Sequence, residues 1–406
     1  MKVPISDGFQ RCLDSSTLTS YGMSKRSLIS RYAQLLLEAK STIRQINLTT
    51  LREKLQSQTP PIVIDVREVD EWMRGHIPGA HHIPASTMAQ KIDSIVPDRS
   101  SPVVTFCGRG ARAAFAALEL QNLGYNNVVA ADPGFLEWRA LGLPVETPNL
   151  FSGAQVDRYA RHLRLSEIGA EGQKRLMKAR ALVVGAGGLG APALQYLAAA
   201  GLGTIGIMDD DDVAISNLQR QVIHGERHLG VPKVESAKAF IANLNSDVAV
   251  ESLPERLSAE NVDAVLNRGW DVILDGMDNF EGRYILNDAA AQRGIPLVHG
   301  AVHRFDGQIT TLHPPHGPCY RCFHPSPPPA GLSPSCEEAG VLGVLPGVIG
   351  LLQATEALKV LLGIGNTLVG RVLHYDALNM QFRSIALARQ ESCPGCQHAP
   401  TAPAHR

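Results

Sequence analysis

The chain has 406 residues and a formal net charge of −1, from 38 Lys+Arg against 39 Asp+Glu. At about 150 residues per domain, that length implies two or three domains and a sizeable buried core. Hydrophobic residues at 44% and charged residues at 19% exclude wholesale disorder, and near-neutrality argues against a nucleic-acid footprint or a polybasic membrane patch.

Residues 1–44 carry no motif and read as a leader, partly helical through SLISRYAQLLLEAK. The opening MKVPISDGFQRCLDSS lacks the apolar run of a secretory signal. From 45 to 147, strand-like runs (PIVIDV, PVVTFC, NNVVAAD) alternate with helical ones (LTTLREKLQ, ARAAFAALELQNLG), as in a small α/β domain with a parallel sheet. Residues 148–155 are the expected linker. A larger α/β unit follows over 156–396, with strands in ALVVGAG, GTIGIMD, VAVESL, DVILDGM and PLVHGA, and 397–406 is expected to be a disordered tail. The uncharged stretch 181–208 has membrane-spanning length, but Gly185, Gly187, Gly188 and Gly190 cut it into strand, tight loop and helix. It reads as a buried βαβ unit, whose parallel strands are apolar on both faces. Residues 341–363 are interrupted by Pro346, Gln353, Glu356 and Lys359. No membrane span is expected.

Cys12, Cys107, Cys319, Cys322, Cys336, Cys393 and Cys396 make an odd set in a chain too long to need disulfide staples. The expectation is a reducing cytoplasm, where cysteines serve metal binding or catalysis.

FCGRGAR puts Cys107 at the end of an apolar strand, with Arg112 five positions on and a helix behind the loop. The glycines let successive N–H groups turn toward the sulfur; with the helix N-terminus and Arg112 they favour a thiolate. A buried strand-end cysteine is the bland alternative. Cysteine-dependent phosphatases place five residues between Cys and Arg; four make a tighter ring, suited to one sulfur atom. IDVRE (Asp65, Arg67, Glu68), GHIPGAHHIP (75–84), the CGRGAR loop and GFLEWRALGLPV together resemble the rhodaneses, a family of sulfurtransferases. The resemblance implies a persulfide on Cys107, while Asp65 and Arg67 organise the fold.

Gly185-Ala-Gly187-Gly188-Leu-Gly190 follows a strand and opens a helix, with Asp209 nineteen positions after Gly190. Alone this is a dinucleotide fingerprint, and an NAD-dependent oxidoreductase is its first reading. Three features oppose that reading. The acids of DDDDVAISNLQRQ call for offsetting cations, and Asn217, Arg220 and Lys233 suit a triphosphate. DGMDN closes another strand, putting Asp278 at the carboxyl edge of the sheet where Mg²⁺ and phosphates gather. RYARHL (158–163) precedes the first strand; by itself it is a solvated basic helix face.

From Asp157 to Cys396, the strings RYARHLRLSEIG, VVGAGGLGAP, SNLQRQVIH, PKVESA, DGMDN, CYRC, CEEAGVLG and CPGC resemble the ubiquitin-activating-like adenylyltransferases of sulfur metabolism, the ThiF group. The resemblance implies ATP held by Gly188, Asp209, Asn217, Arg220, Lys233, Asp278 and Asn279, with Asp278 near Mg²⁺. It also implies a homodimer in which Arg161 reaches into the neighbouring subunit's site. The expected fold class is α/β: a small rhodanese-like domain followed by a Rossmann-like ThiF-type domain with a Cys₄ zinc site.

Cys319-Tyr-Arg-Cys322 and Cys393-Pro-Gly-Cys396 are two C-x-x-C knuckles, together a closed structural Zn²⁺ site rather than two local disulfides. Cys336 follows the Pro-rich run 324–334; in related enzymes the matching cysteine lies over the adenylate and forms a thioester or acyl disulfide, the alternative being an inert loop thiol. Cys12 is unassigned.

The expected function is ATP-dependent adenylylation of the C-terminal Gly-Gly of a ubiquitin-like sulfur-carrier protein, of the molybdopterin-synthase small-subunit type. A Cys107 persulfide, loaded by a cysteine desulfurase or thiosulfate, then gives a thiocarboxylate. Activation of a thiamine or tRNA-thiolation carrier, a tRNA-modifying adenylating dehydratase and a non-catalytic scaffold are the alternatives. The eukaryotic fusion of these domains carries its sulfurtransferase second; here it comes first.

Overall fold

The computed structural model describes residues 25–314, 316–327, 340–397, 399 and 400. The chain divides into two compact units, Met1–Ala160 and Arg161–Arg406.

The first unit is built on five strands: β1 (Gln45–Ile46), β2 (Ile62–Asp65), β3 (His81–His82), β4 (Val103–Phe106) and β5 (Val128–Ala131). Their order is β1-β5-β4-β2-β3, and every neighbour pair is parallel. Both faces are covered, so β4 is buried along its whole length, as its unbroken apolar run requires. Helix Ala111–Asn122 packs on one face through Ala113, Ala114, Ala116, Ala117 and Leu120. Phe106, Phe135 and Trp138 fill the other, their rings meeting edge to face.

The second unit carries β6 (Arg180–Val184), β7 (Thr204–Met208), β8 (Ala249–Leu253), β9 (Val272–Asp275), β10 (Leu297–His303), β11 (Asp306–Leu312), β12 (Arg371–Asp376) and β13 (Gln381–Ala386). They form one sheet in the order β13-β12-β11-β10-β9-β6-β7-β8. The five strands read from the sequence are its parallel part. Three more, β11 to β13, extend it as an antiparallel meander. β12 and β13 escape a sequence reading because β12 is only half-buried and β13 is exposed throughout, which leaves no apolar run to mark them, while β11 is mostly buried but built of polar residues (DGQITTL).

Helix Val344–Leu362 is long and apolar enough to cross a membrane by length and composition, and half of its most apolar stretch is buried inside the unit. The polar residues that interrupt it are bonded internally. Gln353 Nε2 donates to the Asp275 carbonyl at 2.7 Å and the Val298 carbonyl at 3.0 Å. Glu356 accepts from the Thr311 hydroxyl at 3.0 Å and the Leu368 N–H at 2.7 Å. The helix is thus tied by side chains to the sheet it covers. Gln353→Leu, which removes both bonds from the helix to the strand carbonyls, is expected to lower the free energy of unfolding by about 1–3 kcal/mol in urea titrations.

Buried histidines add a pH dependence. Trp72 is stacked between His76, with centroids 3.4 Å apart, and His82, at 5.0 Å. His224 bonds Ser236 and the Ala186 carbonyl, and His299 bonds Asp275. Burial is the chief cause that holds all four imidazoles below their ordinary value of 6.5. Below that value the unfolded chain binds protons that the folded chain does not, so stability present above it is lost as the pH falls toward the depressed folded values. The urea midpoint of each unit is expected to drop between about pH 7.5 and about pH 5.

Candidate functional site

In the second unit, the turn from β6 into helix Gly190–Ala199 admits only glycine: a Cβ on Gly190 would lie 1.8 Å from the Gly185 carbonyl oxygen. Asp209, directly after β7, accepts hydrogen bonds from the Ala186 N–H at 2.7 Å and the Asp211 N–H at 2.9 Å. Its carboxylate therefore sits against the glycine loop. Burial, the largest influence, raises its pKa, while Lys233 and the two N–H donors oppose that rise. Lys233 is 4% exposed and pairs with Asp211 at 2.6 Å. Asn217 accepts from the Ala214 N–H, and Arg220 donates to the Ser216 carbonyl. Asn279 caps helix Phe280–Arg293 by accepting from the Gly282 N–H, and Asp278 beside it is exposed. Together with Gly188, these residues all line one cavity of about 830 Å³. Carboxylate oxygens of Asp209, Asp210 and Asp211 lie within 4.8 Å of one another in its wall, a hard oxygen set of the kind Mg²⁺ takes.

Two groups in and behind the cavity wall are not legible from spacing. Arg283, in the wall, donates to the Met277 carbonyl at 2.5 Å and lies 3.6 Å from the Asp275 carboxylate. Behind it, His299 Nδ1 meets the same carboxylate at 2.7 Å. Arg283 Nε, the atom 3.6 Å from Asp275, and His299 Nε2 are both buried with no hydrogen-bond partner among the described residues. The one available signal was the place of Arg283, one helical turn past the Asn279 cap. Arg161 is exposed on helix Gly153–Leu163 and does not line the cavity. Cys336, like Cys12, lies outside the described residues.

In the first unit, Cys107 follows β4 and is 1% exposed. Its Sγ accepts from the Gly110 N–H at 3.2 Å and the Ala113 N–H at 3.3 Å, the latter in the first turn of the helix. The string GFLEWR clamps this loop: Phe135 and Leu136 N–H groups donate to the carbonyls of Cys107 and Gly108. A Cβ on Gly134 would stand 2.1 Å from the Cys107 carbonyl oxygen. Asp65 and Arg67 are buried together, with Arg67 also bonded to the Gly75 carbonyl and lying 3.9 Å over the Phe135 ring. Arg112 lines the same cleft as the sulfur and is held there by a carboxylate. Its guanidinium makes two hydrogen bonds to the Glu71 carboxylate, at 2.6 and 2.7 Å. Burial pushes the Glu71 pKa up, but the bonds and charge of Arg112 outweigh it and hold the carboxyl below its ordinary value. A cleft of about 620 Å³ opens here, lined by both residues and Cys107.

Cys319, Cys322, Cys393 and Cys396 are buried, with their sulfurs all within 4.8 Å of one another. The Cys319–Cys393 and Cys322–Cys396 pairs stand at 3.5 Å. That is far beyond a disulfide bond and close to the ~3.8 Å edge of a tetrahedral zinc–thiolate centre. The donor set fits zinc. Between the first two thiols, Tyr320 donates its N–H to Asn287 and lines the cavity that holds Asp209 and Lys233 in its wall.

Comparison with known proteins matches both sites. The model of the rhodanese-like domain fits residues 47–141, and the model of the ThiF family fits residues 159–395. The SAMP-activating enzyme E1 of Haloferax volcanii is 54% identical over 242 residues, 60% of this chain and 89% of that protein. The sulfur carrier protein adenylyltransferase of Thermus thermophilus is 51% identical over 252 residues, 61% of this chain and 93% of that protein. A probable adenylyltransferase/sulfurtransferase MoeZ of Mycobacterium tuberculosis is 49% identical over 254 residues, 62% of this chain and 64% of that protein. The crystal structure of E. coli MccB with ATP shares the fold of 62% of this chain and 77% of its own, with a TM-score of 0.53 and 20% identity. With the family model covering more than half of its length, this chain belongs to the ThiF family.

Proposed function

We propose that the chain adenylylates the C-terminal Gly-Gly carboxylate of a small ubiquitin-like sulfur-carrier protein and converts it to a thiocarboxylate with sulfur carried on Cys107. One observation carries the reading: Gly188, Asp209, Asn217, Arg220, Lys233, Asp278 and Asn279 converge on a single cavity, in a chain that also presents a cysteine cradled by N–H groups. The relatives named for sulfur-carrier adenylylation and sulfur transfer support it.

The carrier carboxylate attacks the α-phosphorus of ATP, the bond to pyrophosphate breaks, and an acyl-adenylate forms. Charge develops on the departing phosphates, where Arg220 and Lys233 stabilise it. Arg161 of a second copy adds a further cation in a homodimer. Asp278 and the acids 209–211 would hold Mg²⁺, which offsets phosphate charge when bound. The Cys107 persulfide then attacks the acyl carbonyl and AMP leaves. An external thiol attacks the Cys107 sulfur, the S–S bond breaks and the thiocarboxylate leaves, and a second equivalent of that thiol reduces the mixed disulfide on Cys107. Cys336 is read from the sequence as an acyl relay, carrying the acyl group as a thioester or acyl disulfide. The buried free thiols suit a reducing compartment.

Lys233→Ala is expected to slow carrier-dependent ATP–pyrophosphate exchange by about 10²-fold or more. Cys107→Ala is expected to abolish thiocarboxylate formation while sparing that exchange. Both are measured with a ubiquitin-like protein ending in Gly-Gly, and loss of exchange in Cys107→Ala, or retained thiocarboxylate, sinks the coupled scheme.

The four thiols would hold one structural zinc per chain. Elemental analysis is expected to find it in the native chain and not in Cys396→Ser, whose thermal midpoint falls; full metal-free stability would overturn the assignment.

A further inference from the structure

The Cys107 cleft is rich in arginine, yet its positive charge is unevenly available. Arg67 is paired with Asp65, and Arg74 with Asp70 and Asp157. Arg112, at the start of the helix that closes the loop, is matched by two bonds to Glu71. Glu71 Oε1 is so close to the loop that a Cβ on Gly108 would lie 3.7 Å from it. Arg109, the loop's other arginine, and Arg139 are exposed at the cleft and have no carboxylate partner among the described residues. Of the loop's two cations, then, Arg112 is neutralised by a fixed anion, while the exposed Arg109 and Arg139 carry the unpaired positive charge.

Sulfur donors differ in where they carry charge. In thiosulfate, the group that leaves is sulfite, a dianion bonded directly to the transferred sulfur; it must enter the ring of the loop. In an organic persulfide, the group that leaves is a thiolate, and any carboxylates lie several bonds away. Two like charges at such close range oppose each other by amounts that change rates by an order of magnitude.

We propose that Glu71 sets the donor class of Cys107: by neutralising Arg112 and standing beside the loop, it disfavours thiosulfate and selects organic persulfides. The inference rests on the sulfurtransferase reading above. In the favoured step, the Cys107 thiolate attacks the outer sulfur of R–S–SH. The bond between the two donor sulfurs breaks, Cys107–S–SH forms, and R–S⁻ leaves with the electron pair of the broken bond. No oxidant or reductant is consumed.

The test uses the full chain, with glutathione persulfide and thiosulfate as donors and cyanide as acceptor, read as thiocyanate. The native chain is expected to show the higher kcat/KM with the persulfide. Glu71→Gln, which keeps an acceptor for Arg112 but loses the charge, is expected to gain about tenfold with thiosulfate and to change less than about threefold with the persulfide. Arg112→Gln leaves Glu71 unneutralised and provides a second arm: thiosulfate use falls by more than persulfide use. Thermal unfolding verifies that each variant is folded. Thiosulfate activity that is unchanged or lower in folded Glu71→Gln, or an equal loss for both donors in Arg112→Gln, overturns the proposal. A native chain that accepts sulfur on Cys107 from neither donor overturns the sulfurtransferase reading instead.

Discussion

A backbone approach with no room for a side-chain carbon holds the nucleotide domain in register. Gly190 starts its helix against the Gly185 carbonyl, and everything around the cavity is built on that closeness. It fixes the N–H groups of the loop, one of which, from Ala186, is satisfied by Asp209. The Ala186 carbonyl is satisfied by His224, whose other nitrogen meets Ser236 in helix Lys233–Leu244. The helix that begins at Lys233 is thereby tied to the glycine loop that lines the cavity. A substitution that pushed Gly190 away would displace the acid, the histidine and the lysine together, because they share one hydrogen-bonded framework.

The cysteine site repeats this design on a smaller sheet. A strand end, a tight loop and a helix start again turn N–H groups inward, and Gly134 again supplies the close approach. Both sites also keep their principal cation matched to a carboxylate before any substrate arrives: Lys233 with Asp211, and Arg112 with Glu71. A buried or half-buried cation without such a partner would carry a desolvation cost in the free enzyme. Pairing removes that cost and makes the anion part of the recognition, since a ligand must compete with it.

Much of this was legible in residue order. Runs such as ALVVGAG and PVVTFC could only be covered parallel strands, and the glycine spacing located both loops. The C-x-x-C pairs announced a four-thiol centre because a tight turn converges two sulfurs whatever lies between the pairs. The outer strands β12 and β13 were not legible, since a half-buried or exposed strand has little periodic burial to imprint on its sequence. Nor was the Glu71–Arg112 pair, whose members are 41 positions apart on different elements. Gln353 and Glu356 were legible as interruptions of an apolar stretch, but their partners were not: in the fold they bond to the sheet and to the segment that leads into β12.

The four-thiol centre has a consequence for how the chain is made. Its second pair of sulfurs comes 74 residues after the first, near the end of the sequence. During synthesis, Tyr320 therefore emerges on a knuckle with only two of the four thiols, and the centre beside it is finished only once Cys396 has followed. The order of synthesis thus makes the four-thiol centre a late step in building the domain, after the strands and helices around the cavity have emerged.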